Sequence, residues 1–124
     1  MFRTLFATLV AVLLATSVTA AAQPVPATKA ADGTLTNAAG MTLYVFDKDG
    51  GGKSACNGPC VANWPPLMVV GNGAASGDWT IVVRDDGTKQ WANKGKPLYT
   101  WVKDTKPGDK TGDGVNSVWH VAKG

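Results

Sequence analysis

The sequence predicts a mainly β protein: a compact single domain of two diverged β repeats joined by long Gly/Asp/Pro-rich loops. Three observations lead there. All nine acidic residues are Asp and none is Glu; Asp bonds its own backbone in turns, whereas Glu sits comfortably in helices. Fifteen Gly and seven Pro punctuate the 124 residues, a composition of short strands separated by turns. Finally, "GMTLYVFDKD" (Gly40 to Asp49) aligns without gaps on "GKPLYTWVKD" (Gly95 to Asp104) at an offset of 55. Two related halves packed together bury one shared core, which neither could do alone.

In chain order, residues 1–22, MFRTLFATLVAVLLATSVTAAA, are an apolar run behind one basic residue, Arg3. Ala20-Ala21-Ala22 fits a signal-peptide cleavage site before Gln23, and the strongly apolar part is short of the roughly 20 residues of a spanning helix. With no cysteine near that site there is no thiol for a lipid anchor. Residues 23–32, QPVPATKAAD, have two prolines and no apolar periodicity, so they read as a linker. The β-rich domain is expected over 33–124, its repeats at about 33–86 and 87–124.

Alternation and turn residues mark strands at Thr34–Thr36, Thr42–Asp47, Trp79–Arg84, Thr88–Asn93, Leu98–Lys103 and Val118–Ala122. Asp85-Asp86-Gly87 is a hairpin signal between two of them. Gly58 to Trp64 can make a helical turn, which Pro65-Pro66 would stop. Each motif copy is followed, after a loop, by a Trp run, "WTIVV" at Trp79 and "WHVA" at Trp119. Each repeat is therefore expected to open on a Tyr-aromatic-Asp strand and close on a Trp strand.

Strand alternation puts Tyr44 and Phe46 on one face, and Tyr99 and Trp101 likewise. These aromatics are expected as core rather than as a platform for a sugar or other flat ligand, since large rings supply much of the core energy of small domains. Asp49 and Asp104, which follow the strands, are expected to cap turns by accepting backbone N–H bonds.

Tyr44-x-Phe46-x-x-Asp49 and Tyr99-x-Trp101-x-x-Asp104 resemble the paired Y-x-[FWY]-x-x-D motifs of the bacterial secreted-repeat lipoprotein family. The flanking "C-x3-C-x3-WPPL" from Cys56 to Leu67 and "GKPLYTWVKDTKPGD" from Gly95 to Asp109 are similar to that family too, so the resemblance covers nearly all of 33–124. It implies an exported protein of unknown function with no established catalytic residues. The lipobox cysteine of the family name is missing, which favours a soluble periplasmic or secreted form.

In an exported chain, two cysteines favour a disulfide. A Cys56–Cys60 bridge closes a five-residue ring around Asn57-Gly58-Pro59 and is worth roughly 2 kcal/mol by loop entropy. The alternatives are thiol redox chemistry, which the C-x3-C spacing and the lack of a βαβ pattern disfavour, and a Cu(I) site. Reduced Cys56 and Cys60, with Met41, Met68 and His120, are the candidate soft ligands, but nothing in the sequence brings His120 to the cysteines. "DKTGDG" (Asp109 to Gly114) places Asp109, Thr111 and Asp113 like the start of a calcium loop, yet the twelfth position is His120 where the loop needs Glu.

One His, no Glu and no G-x-S-x-G or H-E-x-x-H leave no hydrolytic constellation, and "GGGKSA" at Gly50 to Ala55 lacks the lead and helix of a phosphate-binding loop. The formal charge of +3 falls to +2 without Arg3, too little and too dispersed for nucleic acid. The chain is thus expected to be a non-enzymatic, cofactor-free domain of the cell envelope, structural or binding in role, periplasmic or secreted. Its expected partner is an unknown envelope protein or small ligand, with no nucleic acid and no membrane span after signal cleavage. The alternative is a periplasmic copper or thiol protein working through Cys56 and Cys60.

Overall fold

The computed structural model describes residues 26–124; the expected signal peptide, residues 1–22, lies outside them. The elements in chain order are β1 (Ala27–Lys29), β2 (Leu35–Asn37), β3 (Tyr44–Phe46), helix α1 (Pro59–Asn63), β4 (Trp79–Val83), β5 (Lys89–Asn93), β6 (Lys96–Pro97), a 3-10 turn (Val115–Ser117) and β7 (Trp119–Val121). Antiparallel pairs β1–β2 and β3–β7 and the three-stranded sheet β4–β5–β6 are stitched together by single bridges. Among the described residues, no helix is long and apolar enough to cross a membrane.

The β1–β2 and β4–β5 hairpins turn on the same chemistry. Asp32 Oδ1 accepts the Thr34 N–H at 3.0 Å and Asp86 Oδ1 accepts the Thr88 N–H at 2.9 Å. The glycine between them takes φ +87° in the first turn and +85° in the second, a region that costs other residues a Cβ clash. The expected Asp85-Asp86-Gly87 hairpin is therefore present, joining β4 to β5 in the register Val83↔Lys89.

Two expectations about element bounds are corrected. The segment 23–32 is not a plain linker, because Ala27–Lys29 is a strand paired with β2; the Asp32-Gly33 turn that makes this hairpin has no apolar periodicity to announce it. The expected strand Leu98–Lys103 is replaced by β6 at Lys96–Pro97 and one bridging residue, Tyr99. Pro97, Pro65 and Pro66 lack N–H donors, so no continuous ladder runs along this segment.

A pseudo-two-fold relation organises the rest. Tyr44 and Tyr99 cross at the centre and exchange both backbone bonds, at 2.8 and 3.0 Å. Around them each repeat lends its last extended segment to the other. Ala122 donates to the Leu43 carbonyl at 2.8 Å and accepts from Leu35 at 2.9 Å; Leu67 donates to Leu98 at 2.9 Å and accepts from Trp91 at 2.8 Å. The offset that relates the motifs also carries Trp64 onto Trp119 and Leu67 onto Ala122. The counterpart of Trp119 is thus Trp64, not Trp79, and "WTIVV" does not close the first repeat. Strand alternation then sorts two cores. Leu43 and Leu98 join Ala27, Leu35 and Ala122 in an aliphatic cluster, while Tyr44, Tyr99, Trp64, Trp119 and Cys56 form an aromatic one.

Candidate functional site

The aromatic cluster is a stack of four rings across the two-fold. Trp64 and Trp119 lie face to face at its middle, centroids 3.8 Å apart and planes 4° apart. Trp101 stacks on the far side of Trp64 at 4.0 Å and Phe46 on the far side of Trp119 at 4.2 Å. Tyr44 meets Trp64 edge-on at 5.4 Å, and Tyr99 meets Trp119 edge-on at 5.1 Å. The edge-on pairs add to area burial. Trp64 and Trp119 are buried, whereas Phe46 and Trp101 are half-buried stack ends, Trp101 carrying the Lys103 ammonium at 5.7 Å from its ring.

The hydroxyl of each motif tyrosine serves the aspartate of the other copy. Tyr44 Oη donates to Asp104 Oδ2 at 2.6 Å, and Tyr99 Oη donates to Asp49 Oδ2 at 2.7 Å. Each aspartate also holds its own loop, as expected from the sequence: Asp49 Oδ1 accepts the Ala55 N–H at 2.6 Å and Asp104 Oδ1 the Thr111 N–H at 3.0 Å. A charge-assisted bond of this kind contributes roughly 1.5–3 kcal/mol. The motif is therefore a reciprocal clasp, not two separate caps.

Burial first, and then the Asp104 carboxylate, push the Tyr44 hydroxyl well above the usual phenol range. Burial does the same to Tyr99, with the Ser54 hydroxyl opposing and Asp49 assisting. Both phenols thus stay protonated and donate. Burial also raises Asp49, against the opposing pull of the Ala55 N–H, the Tyr99 hydroxyl and the Arg84 charge.

The two ends of the clasp differ. Tyr44 Oη also accepts the Gly112 N–H at 3.2 Å. Tyr99 Oη lies 2.5 Å from Ser54 Oγ; because the Tyr99 proton points to Asp49, Ser54 is the donor there. Behind Ser54 stands Arg84, buried, donating to Ser54 Oγ at 2.9 Å, Gln90 Oε1 at 2.7 Å and the Cys56 carbonyl at 2.5 Å. Arg84, Ser54 and Gln90 were not singled out in the sequence, and Thr111 only as part of a calcium-like loop. A lone Arg ending a strand before Asp85-Asp86 reads as an exposed hairpin residue, and only the fold turns it inward.

Cys56 and Cys60 form a disulfide, their Cα atoms 5.3 Å apart, and the bridge packs under Trp64 at the start of α1. As a disulfide they offer no thiolate to a metal. His120 sits on β7, its Nε2 2.7 Å from Asp47 Oδ2. Met68 instead faces a groove with Trp91. Among the described residues no three His, Cys or Asp side chains are grouped to hold an ion. In the Asp109–Gly114 loop, Asp109 Oδ2 accepts the Thr105 N–H at 3.0 Å, Asp113 Oδ1 accepts the Val121 N–H at 3.1 Å, and Thr111 Oγ1 bonds Asp104 at 2.5 Å. These side chains close turns rather than converge. Lys53 at "GGGKSA" bridges Gly50 in a tight turn.

Comparison with known proteins agrees with this duplicated architecture. The family model Lipoprotein_15, described as a secreted repeat of unknown function, matches residues 27–68 and 80–123. The matched segments start at β1 and in β4, so each copy begins with a hairpin turning on Asp-Gly. No curated protein and no solved structure matches the chain. With both halves covered, the chain belongs to the Lipoprotein_15 family of secreted repeats of unknown function.

Proposed function

We propose that this is a non-enzymatic exported domain of the cell envelope, periplasmic or secreted after removal of residues 1–22, that acts by binding. One observation carries the reading: the family motif spends its polar groups on itself. Tyr44, Asp104, Tyr99 and Asp49 bond each other across the two repeats, and the rings between them stack on each other. Side chains so engaged build a rigid scaffold and leave recognition to the surface around it. The disulfide supports an oxidising compartment, and the secreted family supports export.

The test is to express the full chain, recover the exported protein, and incubate it with glycan, peptide and lipid fractions of a bacterial envelope under native mass spectrometry. The expected result is a chain beginning at Gln23 that forms a stoichiometric complex without changing its ligand. Net conversion of an added compound, abolished in folded Tyr99→Phe or Asp104→Asn protein, would instead make the clasp a reaction centre.

A further inference from the structure

The pseudo-two-fold relation offers an internal control on the surface positions that the two copies share. Applied to the surface, it separates charges the architecture needs from charges it does not. The hairpin aspartates Asp32 and Asp86 hold matching turns, one residue out of the 55 offset, and Asp49 and Asp104 match at 55; all four serve turns or the clasp. Lys94, Lys96 and Lys123 have no charged counterpart, and they surround a cavity.

That cavity, of about 290 Å³, lies between the turn after β5 and strand β7, near the lower end of small-molecule sites, roughly 300–1,000 Å³. Its floor is aliphatic, formed with Leu35, Leu98 and Ala122 of the buried cluster. Its rim carries Lys94, Lys96 and Lys123, with the His120–Asp47 pair beside them. None of the three lysines forms an ion pair among the described residues; Lys123 Nζ donates only to the neutral Thr34 Oγ1, at 3.3 Å. Lys94 also holds φ +52°, an uncommon conformation for a residue with a Cβ.

The offset of 55 places Ala39 opposite Lys94, Met41 opposite Lys96, Met68 opposite Lys123, Pro65 opposite His120 and Val102 opposite Asp47. All five charged or titratable rim positions are apolar in the other repeat, whose own groove runs along Ala39, Leu67, Met68 and Trp91. The corresponding groove of the other repeat is therefore built without those charges. Three cations with no carboxylate partner, set around an apolar floor, fit an anion carrying an apolar body.

We propose that the groove between the β5–β6 turn and β7 is a binding site for a small organic monocarboxylate, its hydrocarbon part on Leu35, Leu98 and Ala122 and its carboxylate among Lys94, Lys96 and Lys123. This deepens the binding role proposed above and rests on it. An inorganic anion would meet the same lysines but leave the floor uncovered. A neutral amphiphile would cover the floor and leave the lysines without a counter-charge.

The test is titration of the isotope-labelled exported protein with sodium hexanoate, hexanamide and inorganic phosphate, following protein amides and ligand protons by NMR. Hexanoate is expected to give saturable shifts at residues 94–98 and 120–123, with affinity at least tenfold above hexanamide and phosphate and weakening as salt is raised. The variant Lys94→Ala/Lys96→Met/Lys123→Met introduces residues the other repeat already carries, so it is expected to fold with native amide dispersion and lose the hexanoate shifts at least tenfold. Absence of saturable shifts in wild type, equal binding of hexanamide, or full hexanoate affinity in the folded triple variant each overturns the assignment. Failure of the underlying reading has a different signature: new ligand resonances growing with time, which mark turnover.

Discussion

If the motif is a reciprocal clasp, Tyr44 is coupled to an aspartate 60 residues away and not to the one five residues away in its own motif. Tyr44→Phe keeps the ring against Trp64 and removes only the hydroxyl. That hydroxyl donates to Asp104 Oδ2 at 2.6 Å and accepts from the Gly112 N–H at 3.2 Å, so both groups lose a partner while buried. A bond to a charged acceptor is worth roughly 1.5–3 kcal/mol and an orphaned buried group costs about 1–3; Tyr44→Phe should therefore cost about 2 kcal/mol. In a domain of this size that lowers Tm by about 10 °C. The decisive measurement is a pair of double-mutant cycles by urea unfolding. Tyr44→Phe with Asp104→Ala should show a coupling of about 2 kcal/mol, and Tyr44→Phe with Asp49→Ala less than about 0.5. If Asp104→Ala does not fold, Asp104→Asn keeps the test with a coupling of about 1 kcal/mol, the charged-over-neutral difference. Equal coupling to both aspartates, or none to Asp104, would refute the clasp.

Four other outcomes follow from the same geometry. Trp64→Ala and Trp119→Ala, at the middle of the stack, should each cost about 3–5 kcal/mol in urea unfolding, and the half-buried ends Phe46 and Trp101 measurably less; equal costs would mean the stack is not the core. Reduction of Cys56–Cys60 should lower stability by about 2 kcal/mol, read as a shift in urea midpoint with and without reductant, and an unchanged midpoint would remove the bridge from the stabilising set. Gly112→Ala places a Cβ 2.8 Å from the Trp64 ring and 3.0 Å from the Tyr44 ring, so it should cost about 1–3 kcal/mol; a neutral result would show the loop giving way. Asp49 has a folded pKa raised above the usual 3.8 by burial, so the unfolded chain releases its proton first as pH rises. Wild type should therefore lose stability relative to Asp49→Asn as pH climbs from 3.8 through the raised value, and a pH-independent difference would show that burial does not control this carboxyl.

Much of the local structure was legible because it is encoded by neighbours in sequence. The alternation in "TLYVF" assigns Leu43 and Val45 to one core and Tyr44 and Phe46 to the other, as found. Asp86-Gly87 carries its own turn, Pro65-Pro66 stops α1 at Asn63, and the spacing of Cys56 and Cys60 permits the bridge. The first hairpin was missed because Ala27–Lys29 is too short to show a period, and β6 was misplaced because Pro97 before Tyr99 and Pro65-Pro66 across from it remove donors.

The duplication reads directly from the chain as a match at an offset of 55, and the turn chemistry and the side of the strand each motif residue faces follow from residues within a few positions of one another. Tertiary structure alone decided the partners. Which aspartate Tyr44 serves, which tryptophan Trp119 stacks on, where Arg84 buries its charge and which lysines share a groove all depend on how the two copies cross. Both copies present near-identical motifs, so pairing within a repeat and pairing between repeats satisfy the same local pattern. Packing resolves the choice: exchanging the final segments brings Trp64 onto Trp119 and closes one aromatic core between halves too small to bury their own.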